Sequence, residues 1–210
     1  MNLSSVVVLA LIGVAAAFAL VVTRKPQVTR AAGGKILAFL AFLILPVLAG
    51  WAGFNQHMQM AESTQFCLSC HVMRDYGHSL YVDDPSYLPA VHYQNRLVPR
   101  DAACYTCHTD YTLFGTVRSK FRGLRHIYIE YFGHIPQPQN IKLYTPFNNR
   151  ECLHCHLGAR PFEEEPTHNK KSGEMAQIKD NQLSCMSSGC HDTVHAINSL
   201  KDASFWKPKD

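Results

Sequence analysis

The first 61 residues contain no aspartate or glutamate, and their only charged side chains are Arg24, Lys25, Arg30 and Lys35. Four of the 20 basic residues therefore lie here, which leaves 16 to balance the 16 acidic residues that follow. The formal net charge of +4 thus belongs to this short basic segment. Because the rest of the chain carries no excess positive charge, it lacks the basic surface that nucleic acids require, and we expect no nucleic-acid partner.

Cysteine is absent outside four short motifs, at residues 67–71, 104–108, 152–156 and 185–191, each of which ends in Cys-His. The eight cysteines are Cys67, Cys70, Cys104, Cys107, Cys152, Cys155, Cys185 and Cys190. None is left over for a disulfide. The first three motifs read Cys-x-x-Cys-His, which is the signature of c-type haem attachment. The fourth has four residues between its cysteines instead of two.

In such a motif two thioethers hold the porphyrin, and the following histidine ligates the iron from one face. Structural zinc sites also use Cys-x-x-Cys pairs, but they do not require histidine directly after the second cysteine. With 12 histidines in 210 residues, chance would place one after all four pairs with a probability of roughly 10⁻⁵. We therefore predict four covalent haem c groups, with His71, His108, His156 and His191 as iron ligands. Since c-type haem is attached outside the cytoplasm, the motifs also predict that the part of the chain that carries them lies outside the cytoplasm.

Two apolar runs, residues 6–22 and 36–54, are near the length that a helix needs to cross a membrane. Pro46 is expected to kink the second, and Trp51 suits the membrane interface. The alternative for the first run is a cleaved signal peptide, but no Lys or Arg precedes Thr23. The basic loop 23–35 should stay cytoplasmic. The sequence thus predicts a membrane anchor at 1–55 and a haem domain at 56–210, which faces the periplasm from the bacterial inner membrane.

For the haem domain we expect a mainly α fold with long loops and little or no sheet, packed on the cofactors. One later stretch has helical periodicity: apolar residues follow a 3,4,3,4,3 spacing at Phe114, Val117, Phe121, Leu124, Tyr128 and Tyr131. Arg118, Arg122 and Arg125 lie beside that face, and Gly133 with Pro136 and Pro138 should end the helix. Such a basic amphipathic helix either lies on a membrane surface or covers a haem whose propionates pair with the arginines.

Three features carry a resemblance to a known family. They are the anchor helix before the first motif, the extended motif Cys67-x-x-Cys70-His71-x-Met73, and its spacing to Cys104. Together they resemble the NapC/NirT family of membrane-anchored tetrahaem quinol dehydrogenases. Gly123-Leu124-Arg125-His126-x-Tyr128 and the ending at His191 and His195 look most like the small membrane subunit of cytochrome c nitrite reductases. The additional helix at 6–22 and the longer fourth motif depart from the family pattern.

The resemblance implies further ligands, because a low-spin haem needs a second axial ligand and histidine is the usual choice. His92, His168 and His195 match family ligand positions, with His126 in reserve. In the resembling proteins the methionine two residues after the motif histidine ligates the first haem, which implies this role for Met73. Lys120, 12 residues after His108, matches a family lysine at the quinol site, and Asp110 is the nearest acidic candidate.

The predicted function is a cytochrome that oxidises membrane quinol and passes electrons along four haems to a periplasmic reductase or cytochrome. Membrane lipid is the expected surroundings of the anchor, and the chain is expected to be a subunit of a larger complex. An alternative is an electron-transfer subunit that takes electrons from a membrane partner and not from quinol. A terminal multihaem reductase is the third and weakest possibility, because the sequence offers enough histidines to close three haems.

Overall fold

The computed structural model describes residues 3–143 and 145–207, and within them the structure is helical, with no strand beyond one isolated bridge between Val82 and Phe205. In chain order the α-helices are α1 (Leu3–Arg24), α2 (Ala32–Phe39), α3 (Leu45–Met60), α4 (Thr64–Leu68), α5 (Arg74–Ser79), α6 (Leu88–Gln94), α7 (Ala103–His108), α8 (Gly115–Phe132), α9 (Arg150–His156), α10 (Arg160–Glu163) and α11 (Glu174–Lys179). The mainly α class predicted from the sequence is confirmed. The chain divides into two compact units, Met1–Ala61 and Glu62–Asp210.

The first unit is a pair of long apolar helices. One is α1, with 22 residues, and the other runs for 29 residues from Ala32 to Met60; both are long and apolar enough to cross a membrane. They form an antiparallel hairpin. Gln56, near the end of the second helix, donates a 2.6 Å hydrogen bond to Ser5 at the start of the first helix. Most of their large apolar side chains are exposed, as lipid-facing helices require and core helices of soluble proteins do not.

The second long helix is not regular throughout. Between α2 and α3 lies one π-helical turn, Leu40–Ile44, in which the N–H of Leu45 donates to the carbonyl of Leu40. Pro46 follows at the start of α3 and has no N–H to donate. The wider π-helical turn accommodates Pro46. The sequence analysis predicted that this proline kinks the helix. The helix also continues to Met60, six residues past the apolar run that ends at Phe54.

The second unit consists of short helices and long loops around a small apolar core. Val82, Tyr87 and Ala90 form that core, with Leu200 and Ala203 packed against them. The C-terminal segment lies against residues 81–83: the N–H of Asp83 donates to the Ser204 carbonyl at 2.8 Å, and the N–H of Trp206 donates to the Tyr81 carbonyl at 2.7 Å. Among the described residues of this unit, buried apolar side chains are few.

The longest helix of the second unit is α8, as the periodic apolar spacing predicted. It begins at Gly115, where a side chain would collide with the Asp110 carbonyl, so glycine is what lets the helix approach that loop. It ends at Phe132, and the N–H of Gly133 donates to the Ile129 carbonyl at 3.0 Å. Pro136 and Pro138 lie in the segment beyond, where no helix continues until the turn at Pro138–Asn140.

Candidate haem centres and the Lys120 site

The four Cys-His motifs lie on different local structures. The first runs from the end of α4 into a 3₁₀ turn, His71–Met73, while the second and third lie on α7 and α9. On these helices the two cysteines, three residues apart, share one face with the histidine close by, which suits attachment to a single porphyrin. All eight cysteines are free thiols, so each is available for a thioether.

The longer fourth motif is a turn that closes on itself. The N–H of His191 donates to the Cys185 carbonyl at 3.0 Å, and the N–H of Cys190 donates to the Ser187 carbonyl at 2.9 Å. Gly189 has φ of +81°, a conformation that glycine adopts without cost. The two additional residues therefore form a loop, and the motif's two ends still meet.

Successive motifs contact one another through their cysteines. Cys67 lies close to Cys104, and Cys152 lies close to Cys185, near enough for the thiols of each pair to shift one another's pKa. Between these two pairs, the pKa of the Cys107 thiol is raised by burial, then by Cys104 and then by Cys155, so Cys155 lies near Cys107. The motifs thus form a continuous series in the order of the sequence, from first to fourth.

Three of the motif histidines face a second histidine ring. The ring centroids are 6.3 Å apart for His108 with His195, 6.0 Å for His156 with His92, and 6.2 Å for His191 with His168. Two imidazoles on opposite sides of one metal ion, with metal–nitrogen bonds of about 2 Å, would have centroids about 6 Å apart. The spacing therefore fits one iron between each pair. The structure brings together the three histidines that the sequence singled out and gives each a different partner.

Hydrogen bonds at the other ring nitrogen orient these second histidines. His195 Nδ1 lies 2.7 Å from the hydroxyl of Ser79, whose proton goes to the Tyr76 carbonyl at 2.7 Å. The serine therefore accepts, and Nδ1 carries the ring's proton. This leaves the Nε2 lone pair free for a metal. The backbone at His195 and Ala196 has φ of +59° and +34°, a tight left-handed turn that presents the ring.

His92 and His168 have the same arrangement. Their Nδ1 atoms lie 2.9 Å from the Leu88 carbonyl and 3.0 Å from the Phe162 carbonyl. A carbonyl can only accept, so in both rings Nδ1–H donates and Nε2 keeps its lone pair. All three rings thus have the tautomer that binds iron through Nε2.

Burial also favours the neutral imidazole that a metal requires. It lowers the pKa of His195 to about 4, with a smaller contribution from His108. The pKa of His108, His156 and His191 is lowered too, in each case mainly by burial. The spacing, tautomers and charge states of these histidines, together with the free thiols, therefore fit haem c.

The first motif differs from the other three. Its His71 is mostly exposed, and Nε2 lies 4.0 Å from the Glu130 carboxylate of α8. Met73 ends the 3₁₀ turn that begins at His71 and is partly buried. His126, the reserve ligand, lies on α8, where burial and then Arg125 lower its pKa.

Lys120 lies in a polar contact beside the first motif. Its side chain is only 15% exposed, and Nζ is 3.7 Å from the Glu62 carboxylate and 4.5 Å from the ring centre of Tyr105. Burial lowers the pKa of Lys120, while Glu62 and, more weakly, Cys67 raise it. Lys120 is therefore largely shielded from solvent, unlike a lysine on a solvated helix face.

Asp110, the acidic candidate named from the sequence, contacts a different cation. Its Oδ2 is 3.7 Å from Arg118, and its Oδ1 is buried without a hydrogen-bond partner. The acidic residue that pairs with Lys120 is Glu62, which the sequence analysis did not select. The sequence does single out Glu62 as the first acidic residue of the chain, five positions before Cys67. Its contact with Lys120 could not be predicted from the sequence, because the two residues are 58 positions apart.

Comparisons with known proteins agree with this geometry. The sequence profile of the NapC/NirT cytochrome c family, N-terminal region, matches residues 30–200. The cytochrome c-type protein NapC of Escherichia coli K12 is 30% identical over 135 residues, which are 57% of this chain and 64% of that protein. The denitrification system component NirT of Stutzerimonas stutzeri is 26% identical over 191 residues, 83% of this chain and 86% of that protein.

The cytochrome c-type protein TorC of Escherichia coli K12 is 26% identical over 173 residues, 76% of this chain and 39% of that protein. The match to the NapC relatives thus spans less than two thirds of their length. No solved structure matches the chain. The family resemblance predicted from the motifs is confirmed, and with it a c-type cytochrome that carries covalent haem c.

Proposed function

Because the chain belongs to the NapC/NirT cytochrome c family, we propose that it is a membrane-bound tetrahaem cytochrome that oxidises quinol and passes the electrons to a periplasmic redox partner in a respiratory chain. The observation that carries the quinol site is the buried Lys120, paired with Glu62 beside the first haem motif. Because burying an ammonium group is costly, the position of Lys120 favours a specific role for this side chain.

Four haems are held by four motifs, and three of their irons have two histidine ligands. His108 and His195 would ligate the second haem, His156 and His92 the third, and His191 and His168 the fourth; the ring spacings support these pairs. The first haem would be ligated by Met73 or His71. The haem irons, when bound, would supply the one-electron chemistry. The contacts between successive motifs support an electron path from first to fourth.

Quinol oxidation releases two protons with its two electrons, so the site must contain a proton acceptor. Lys120 is suited to this task when it is deprotonated, and its burial lowers its pKa in the direction that helps. Glu62 holds the ammonium form in place and limits how far that pKa falls. Tyr105 lies beneath the amine and restricts its position.

The two apolar helices anchor the protein, with the basic loop between them on the cytoplasmic side and the haem domain in the periplasm. The hydrogen bond between Ser5 and Gln56 supports a retained α1. A signal peptide destined for removal would have no need to pair with a helix of the mature protein. The electron acceptor is then a periplasmic reductase or cytochrome, and the chain serves as the membrane subunit of a larger complex.

The test is reduction of the purified chain by a quinol analogue in detergent or nanodiscs, followed by haem absorbance. Lys120→Leu should slow this reduction by about 10²- to 10⁴-fold, the usual contribution of a general base, while dithionite still reduces every haem. Lys179→Leu is the matched control, because Lys179 also pairs with a glutamate and approaches an aromatic ring, but lies far along the chain from the first motif. If the quinol analogue fails to reduce the unaltered protein, the electron-transfer alternative replaces this proposal.

A further inference from the structure

The apolar side chains of α8 point away from the rest of their unit. Val117, Phe121, Leu124, Tyr128, Tyr131 and Phe132 are all exposed, Phe121 at 68% and Tyr131 at 75%. At 3.6 residues per turn they occupy about 100° of the helix circumference. An exposed apolar stripe of this size, on a helix of 18 residues and about 27 Å in length, is not what an isolated water-soluble surface shows.

The helix packs on its own unit through the opposite, polar side. Ser119 and Gly123 are partly buried there, and the Ser119 hydroxyl accepts the N–H of Asp110 at 3.1 Å. Lys120, at one edge of the apolar stripe, reaches Glu62. A soluble amphipathic helix would have the reverse orientation, with its apolar face inward. In the described structure the apolar stripe of α8 therefore faces away from the rest of its unit.

Cationic side chains border the stripe on its other edge. Arg118 and Arg125 follow Val117 and Leu124 by one residue each, and both are exposed. The stripe itself includes tyrosines, which favour the boundary between hydrocarbon and water. Apolar residues bordered by arginines match the layers of a phospholipid surface, where anionic phosphates lie just outside the hydrocarbon.

The partner of Lys120 is also close in sequence to the apolar segment. Glu62 follows the last residue of the second apolar helix, Met60, by two positions along the chain.

From these observations we propose that α8 lies in the headgroup layer of an anionic phospholipid bilayer, with its apolar stripe in the acyl chains and Arg118 and Arg125 against lipid phosphates. The inference does not depend on quinol oxidation, because the helix can occupy the interface whatever the substrate is. If quinol is the substrate, the same arrangement places Lys120 at the depth from which a lipid-soluble molecule enters.

Photo-crosslinking of the full chain in nanodiscs of phosphatidylethanolamine and phosphatidylglycerol tests the proposal. Benzoylphenylalanine replaces Phe121 or Tyr128, and in a matched control it replaces Leu97, which is 62% exposed but lies outside α8. After irradiation, mass spectrometry should find phospholipid adducts at the two α8 positions and none at position 97. Arg118→Glu with Arg125→Glu should lower the adduct yield at position 121 several-fold, and phosphatidylcholine nanodiscs should lower it in the same direction.

Three other results would overturn the proposal. Adducts within the same chain would show that the haem domain or its cofactors cover the stripe. Crosslinks between two chains would assign the face to a second copy. Equal yields of lipid adducts at positions 97 and 121, or no adducts at either position, would show that α8 contacts lipid no more than the rest of the surface does. The variants retain all four motifs, so haem absorbance checks their folding, and quinol reduction is measured separately.

Discussion

The ion pair between Lys120 and Glu62 allows a quantitative prediction about pH. Lys120 accepts a proton only when it is neutral, so the rate of quinol oxidation should rise with pH through the pKa of Lys120. Glu62, when ionised, raises that pKa by favouring the ammonium form. In Glu62→Gln the attraction is lost and the pKa of Lys120 falls. The rising part of the rate profile should therefore move to lower pH.

The distance gives the size of this effect. Two unit charges 3.7 Å apart attract by about 1 kcal/mol in water and about 4 kcal/mol at the effective dielectric constant near a protein surface. At 1.36 kcal/mol for each pKa unit, the rising limb should move by roughly one to three pH units. Glu62 is 33% exposed, so solvent screening places the expected value in the lower half of that range.

The assay is stopped-flow reduction of the haems by a quinol analogue, repeated across pH. Glu164→Gln is the control, because it removes the same charge and breaks the Arg160–Glu164 pair, at 2.7 Å, without touching Lys120. That variant should keep the profile of the unaltered protein. A Glu62→Gln profile that stays in place, or that moves to higher pH, would refute the reasoning and separate Lys120 from the proton transfer.

Three further predictions concern the haems. Ser79→Ala removes the acceptor of the His195 Nδ1–H and makes His195 a less basic ligand. Because a less basic ligand favours ferrous iron, potentiometric titration should find the reduction potential of one haem raised. In the control Ser199→Ala, which alters the Tyr87 contact, all reduction potentials should stay unchanged. Met73→Ala should change the absorbance and magnetic spectra of one haem, and unchanged spectra would assign the first iron to His71. The intact mass of the mature chain should exceed that of the polypeptide by four haems; an excess of three, with Cys185 and Cys190 unmodified, would remove the fourth motif from the assignment.

Local patterns were the part of this protein that the sequence could predict. The periodicity from Phe114 to Tyr131 predicted α8, because side chains three and four apart share one face of a helix. Pro46 predicted an irregularity, but its form, a π turn before the proline, depends on how neighbouring carbonyls rearrange. His92, His168 and His195 were predicted as a set through family resemblance. Their pairing with particular motifs was not predictable, since it is decided by contacts between distant parts of the chain.

Glu62 shows the same limit for a single residue. An isolated acidic side chain forms no periodic pattern, and its contact with Lys120 exists only once α8 packs beside the segment that precedes α4. The surroundings of α8 were also left open, because its periodicity is equally compatible with a membrane surface and with a haem against the apolar face. Phe121 and Tyr131 are exposed in the described structure, and the crosslinking experiment distinguishes the two.

The pairing of His195 with His108 has a consequence for biogenesis. His195 follows His108 by 87 residues along the chain, and its ring contacts Ser79 from still earlier in the chain. On the proposed topology and ligation, the second haem would be attached early but would gain both axial ligands only when nearly the whole polypeptide had been exported. Contacts so distant in sequence form slowly. A chain truncated before His195 would therefore keep every attachment cysteine and still leave the second iron open to small molecules such as oxygen.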